Sequence, residues 1–129
     1  MQKRILVVDD EADICTYLKD TLEYESHKVD VAKTGDEAIE KLDQSSFDAV
    51  LIDIRLETQT SGVDVIKRCR ELTSRPSIIV ISATPERLLK PIFDQEGIST
   101  SIDTFLEKPG DLRPDVIVRR VNTVLGRRG

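Results

Sequence analysis

The sequence predicts an α/β fold, a doubly wound five-stranded parallel sheet flanked by five helices, and two observations carry that prediction. Three short runs, Ile5-Leu6-Val7-Val8, Ala49-Val50-Leu51-Ile52 and Ile78-Ile79-Val80-Ile81, are continuously apolar instead of alternating. Such runs mark strands covered on both faces, as in a parallel sheet. Between them lie stretches whose apolar residues recur at helical spacing, so that strand and helix alternate along the chain.

The elements follow in order. Arg4–Val8 is the first strand. In the helix after it, Ile14, Leu18 and Leu22 recur every four residues, with Asp10 or Glu11 near its start. Lys28–Ala32 is the second strand; its Val29-Asp30-Val31 mixes polar with apolar residues, which suits a sheet edge. Thr34-Gly35-Asp36-Glu37 opens the second helix in a capping-box pattern, with Ala38, Ile39 and Leu42 facing inward. The third strand is Ala49–Asp53. Ser61 could cap the helix that follows, whose buried side carries Val63, Ile66 and Leu72. Ser77–Ser82 is the fourth strand, and Pro85 suits the first position of the fourth helix. Pro91 is expected to break or kink that helix, at roughly 3 kcal/mol inside a regular one. Thr104–Glu107 reads as the other edge strand. Ile117, Val121 and Val124 then form the stripe of a last helix, after Pro114 and before Gly126. One domain over residues 1–129 is expected, with right-handed crossovers and no linker or repeat.

Composition narrows the function classes. Hydrophobic residues make up 39% and charged residues 33%, an ordinary folded balance. No apolar run approaches the roughly 18 residues of a membrane span. Met1-Gln2-Lys3-Arg4 leads straight into the first strand without the apolar stretch of an export signal, so a cytoplasmic location is expected. Cys15 and Cys69 have no metal-ligand spacing and are expected as buried free thiols in a reducing compartment. The single histidine, His27, lies in the polar stretch Glu25-Ser26-His27-Lys28 and is expected in a surface loop. With that residue as the one histidine, no Ser-His-Asp triad, no Cys-His pair and no multi-histidine metal site is expected within the chain. The net charge of −5 disfavours nucleic-acid binding; Arg119, Arg120, Arg127 and Arg128 suit the negative end of the last helix.

In an open α/β sheet, ligands bind beyond the carboxyl ends of the strands. Those ends read Val8-Asp9-Asp10, Ile52-Asp53-Ile54, Ser82-Ala83 and Glu107-Lys108-Pro109. Three carboxylates, a hydroxyl and an amine therefore converge on one edge. Acids so close repel one another and call for a cation. Mg²⁺ fits, because it takes one or two carboxylates and keeps waters that a phosphate can replace. Each residue also has a duller explanation: Asp9 and Asp10 could cap the first helix, Ser82 could be a loop hydroxyl, and Lys108 a solvated charge. Asp53 between two isoleucines gains nothing structurally.

The pieces Val7-Val8-Asp9-Asp10-Glu11, Leu51-Ile52-Asp53-Ile54-Arg55, Ile81-Ser82-Ala83 and Phe105-Leu106-Glu107-Lys108-Pro109, in this order, resemble the receiver domain of bacterial response regulators over essentially the whole chain. The resemblance implies strand order 2-1-3-4-5. It implies that Asp53 is the phosphoacceptor of a two-component or phosphorelay system. Asp10, Asp53 and the backbone carbonyl of Arg55 would ligate Mg²⁺, with Asp9 acting mainly through a water. Ser82 and Lys108 would hold phosphoryl oxygens, and the Lys108-Pro109 bond would be cis. Ser82 and Phe105 would form the switch, Phe105 moving inward as Ser82 approaches Asp53. The implied partners are a histidine kinase or histidine phosphotransfer protein, then a downstream protein target or a missing C-terminal effector domain beyond Leu125; a homodimer is compatible with the pattern. Such a protein is no enzyme beyond its own phosphorylation and dephosphorylation.

Two departures stand out. Leu56-Glu57 replaces the family's Met-Pro pair, with Gly62 nine residues after Asp53, and the segment from Ser82 to Lys108 is longer than usual. Of the rival readings, one stands as the alternative and two lack the residues they need. A receiver-shaped interaction module that is never phosphorylated is the alternative. An aspartyl-phosphate phosphohydrolase would want an aspartate where Arg55 stands. A flavodoxin-type binder would want a glycine-rich phosphate loop where Asp9-Asp10-Glu11-Ala12 stands.

Overall fold

Neighbouring residues in the apolar runs serve opposite faces of one sheet. In the computed structural model, which describes residues 2–55 and 59–126 (side chains of 59–61 excepted), Ile5 and Val7 join one buried cluster while Leu6 and Val8 join the other. The same division separates Ala49 and Leu51 from Val50 and Ile52, and Ile79 and Ile81 from Ile78 and Val80. No position within these runs is left for a solvated side chain, which is why the sequence does not alternate.

The strands are β1 (Arg4–Val8), β2 (Lys28–Ala32), β3 (Ala49–Asp53), β4 (Ser77–Ser82) and β5 (Thr104–Glu107). All pairings are parallel, and the order is β2-β1-β3-β4-β5. The two mixed strands are the edges, as their composition requires. Helices α1 (Ala12–Tyr24) and α5 (Pro114–Gly126) cover one face through Leu18, Leu22, Ile117 and Val121. Helices α2 (Gly35–Gln44), α3 (Gln59–Glu71) and α4 (Glu86–Gln95) cover the other through Ala38, Leu42, Ile66, Leu89 and Phe93. Cys15 and Cys69 are both buried and free.

Local signals explain most boundaries. Thr34 caps α2, its Oγ1 accepting from the N–H of Glu37 at 3.1 Å. Gly97, at φ +73°, closes the stretch after α4 in the left-handed region that glycine tolerates. Four expectations change. Pro85 is the residue before α4 rather than its first. Pro91 does not end α4, which continues to Gln95; the proline removes one N–H from the ladder, while buried Leu89 and Phe93 anchor the helix on either side. The third helix starts at Gln59, so Ser61 lies inside its first turn, and its side chain is outside the described residues, as are Leu56 and Glu57.

His27 is buried rather than exposed, at 8% of its free surface. Its Nδ1 accepts from the N–H of Lys3 at 3.3 Å, and Nε2 lies 3.4 Å from Asn122 Oδ1 on α5. Its side-chain partners come from β1's approach and from α5, not from the polar residues beside it in sequence.

Candidate functional site

Strand register brings the acidic residues together. Val8 pairs with Ile52 across β1 and β3, so the next residues, Asp9 and Asp53, emerge side by side where the strand order reverses. Asp53 lies level with Ile81, which sets Ser82 beside Ile54. Ser82 pairs with Glu107, and the N–H of Lys108 donates to the Ser82 carbonyl at 2.8 Å. Each residue read from a strand end is thus at one edge, and the Lys108-Pro109 bond is cis.

Asp9 is almost fully buried and both its oxygens are used. Oδ1 accepts from the N–H of Glu11 at 2.9 Å, and Oδ2 accepts from Lys108 Nζ at 2.9 Å. Neither Asp9 nor Asp10 caps α1: the cap position is Glu11, which makes no side-chain cap bond. The helix-capping explanation of the two aspartates is therefore not what this structure shows. Lys108 Nζ also lies 3.3 Å from Asp53 Oδ1 and 3.3 Å from Glu11 Oε1.

Arg55 adds a second cation that the sequence did not reveal. Its Nε donates to Asp53 Oδ2 at 3.1 Å, and its Nη2 donates to Glu11 Oε1 at 3.1 Å and to Asp10 Oδ1. Asp9, Asp10, Glu11 and Asp53 each offer an oxygen, all within 4.8 Å of one another. Glu11 also went unread as a site residue; only its place in the acidic run hinted at it.

The electrostatics are those of a site under tension. Burial, and next the charge of Asp9, push the Asp53 carboxyl above its ordinary value, outweighing the pull of Lys108 and Arg55. Lys108 is raised on balance: burial works against its charge, but the bond to Asp9 and the charges of Asp53, Asp9 and Glu11 prevail. The Arg55 guanidinium is raised too, chiefly by its bond to Asp53. The donor set is all oxygen and partly open to solvent, Asp10 and Glu11 having side chains 58% and 52% exposed. That suits Mg²⁺, which binds carboxylates and retains water. A cleft of about 250 Å³ adjoins the acids, lined also by Lys33 and Thr34 from the turn into α2.

Ser82 ends β4 at the same edge, and Phe105 lies on β5. The Ser82 hydroxyl donates to the Ile54 carbonyl and accepts from the N–H of Thr84 at 3.0 Å. Phe105 is half-buried against the cluster shared with α4, and its carbonyl accepts from Arg120 Nη1 at 2.7 Å.

Comparison with known proteins agrees with this architecture. The sequence model described as "Response regulator receiver domain" matches residues 5–122. The transcriptional regulatory protein ResD of Bacillus subtilis is 35% identical over 126 residues, covering 98% of this chain and 49% of that protein. The chain thus spans about half the length of the curated relatives it matches. A two-component response regulator from Clostridium difficile superimposes with a TM-score of 0.81 at 25% identity, over 99% of both chains. A CheY-like receiver domain from Methanospirillum hungatei shares the fold at 24% identity, with a TM-score of 0.83 over 98% of this chain and 96% of that one.

Proposed function

This chain belongs to the response regulator receiver family, and from that premise we propose that it is a Mg²⁺-dependent phosphoacceptor whose nucleophile is Asp53. The observation that carries the reading is a buried carboxylate, Asp53, flanked by Asp9 and Asp10 and bonded to Lys108 at the sheet's switch point. Phosphoryl transfer asks the protein for alignment and charge neutralisation more than for covalent assistance. An oxygen of Asp53 would form the new O–P bond while the P–N bond to a donor histidine breaks. Asp10, Asp53 and the Arg55 carbonyl would hold the Mg²⁺, which when bound neutralises charge on the transferring group. Asp9, with both oxygens engaged, would act indirectly, and it keeps Lys108 pointed at Asp53.

The product would be read through Ser82. A phosphate with about two negative charges draws the hydroxyl from the Ile54 carbonyl and draws Lys108 closer. Movement of Ser82 would open space for Phe105, changing the surface formed by α4, β5 and α5. The donor would be a histidine kinase or histidine phosphotransfer protein in the cytoplasm. The output would be a protein target, or an effector domain in a longer regulator of the kind the curated relatives represent.

The test is incubation with acetyl phosphate, with and without Mg²⁺, on wild type and Asp53→Asn, read by intact mass. Wild type should gain one phosphoryl group only with Mg²⁺, and the variant none. Equal labelling of the variant removes Asp53 as acceptor, and an unlabelled wild type returns the reading to an interaction module.

A further inference from the structure

Among the described residues two cations pair with the four carboxylates: both reach Asp53 and Glu11, but only Lys108 reaches Asp9 and only Arg55 reaches Asp10. Lys108, with a side chain only 11% exposed, is committed to wholly buried Asp9 and to Asp53. Arg55, at 35%, alone spans Asp10 and Asp53, with Glu11 shared between the two cations. Asp10 and Asp53 are also the carboxylates that the phosphoacceptor reading assigns to Mg²⁺, so this inference rests on that reading.

We propose that the Arg55 side chain is a tethered competitor of Mg²⁺, a latch that must leave Asp10 and Asp53 before the ion can take their oxygens. The geometry favours Arg55 over Lys108 as the group that yields. Its pairs with Asp10 and Glu11 are solvent-accessible and screened, whereas Lys108 leaving Asp9 would strand a buried charge. The planar fork of arginine suits a bridge between carboxylates, which the compact ammonium of lysine cannot reproduce. Arg55 would therefore contribute to the site twice: its backbone carbonyl as a ligand, its side chain as the gate on that ligand set.

A latch closed about nine-tenths of the time weakens apparent Mg²⁺ affinity about tenfold. Calorimetric titration of the full chain with MgCl₂ should therefore show Arg55→Gln binding about tenfold tighter than wild type, with Arg55→Lys between them. Thermal unfolding gives a second readout: Arg55→Gln should melt below wild type in EDTA and recover, or exceed it, in saturating Mg²⁺. Equal or weaker Mg²⁺ binding by Arg55→Gln would overturn the latch while leaving the phosphoacceptor reading standing. Absence of uptake by every variant and by wild type would remove both.

Discussion

Replacing Lys108 by methionine tests the electrostatic logic of the site directly. Nζ lies 2.9 Å from Asp9 Oδ2 and 3.3 Å from Asp53 Oδ1, and these two carboxylates have side chains 0% and 6% exposed. Methionine keeps an apolar stem of similar size, so the change is mainly one of charge. Removing one partner of a buried pair costs about 3–5 kcal/mol, because the other charge is left desolvated. Arg55 still neutralises Asp53, so the loss should lie near the lower bound, about 3 kcal/mol, nearly all of it from Asp9. For a chain of this length that corresponds to a fall in Tm of roughly 10 °C. In urea, with a slope of about 2 kcal/mol per molar, the midpoint should drop by about 1.5 M. The double variant Asp9→Asn/Lys108→Met should recover most of the loss, since the stranded charge is gone. A Lys108→Met midpoint within about 0.2 M of wild type, or losses that simply add in the double variant, would refute the reasoning.

Other consequences are cheaper to check. The Asp53 carboxyl is raised above its ordinary value of 3.8, so the folded state holds that proton more tightly than the unfolded chain does. Its contribution to stability in EDTA should be fully present below that value and lost as pH rises through the raised one; urea unfolding across this window should show the decline in wild type and flatten in Asp53→Asn. Thr34→Ala removes the cap on α2 and should cost about 1 kcal/mol by the same assay without changing Mg²⁺ binding. Gly62→Ala would set a Cβ 2.7 Å from the buried Ile54 Cδ1, forcing repacking beside Asp53 at about 1–3 kcal/mol in chemical denaturation. Burial pushes the Cys69 thiol up to about 12, so a disulfide reagent at mildly alkaline pH should modify it only as fast as the protein unfolds.

The fold was legible because its strongest sequence signal is also its largest physical term. A run such as Ile78-Ile79-Val80-Ile81 can be buried on both sides only between two helical layers, and the order of the remaining elements then leaves few topologies. What sequence misjudged depended on partners far along the chain. His27 looked exposed among Glu25, Ser26 and Lys28, yet it is covered by Asn122, 95 residues away. Pro91 was expected to break or kink α4 because local propensity is counted per residue; the helix is not broken there, since Leu89 and Phe93 hold it in the core on either side. Tertiary burial outweighs one missing backbone bond.

The site divides along the same line. Asp9, Asp53, Ser82 and Lys108 could be read in advance because strand ends in a parallel sheet are brought level by backbone pairing, whatever the side chains do. Arg55 lies past the end of β3, where no register constrains it, and a five-donor side chain of that length has several acids within reach. Its choice of Asp10, Glu11 and Asp53 is set by where uncompensated negative charge accumulates, a property of the assembled pocket and not of the segment that supplies the arginine. The buried Asp53 carboxyl held above its ordinary range shows why that compensation is needed: burial and Asp9 together exceed what Lys108 and Arg55 return. A carboxylate in so unfavourable a place weakens the resting fold, and the proposed uptake of Mg²⁺ would return that cost. A charge that costs the resting fold stability is the kind of local conflict between sequence and structure that marks a functional position.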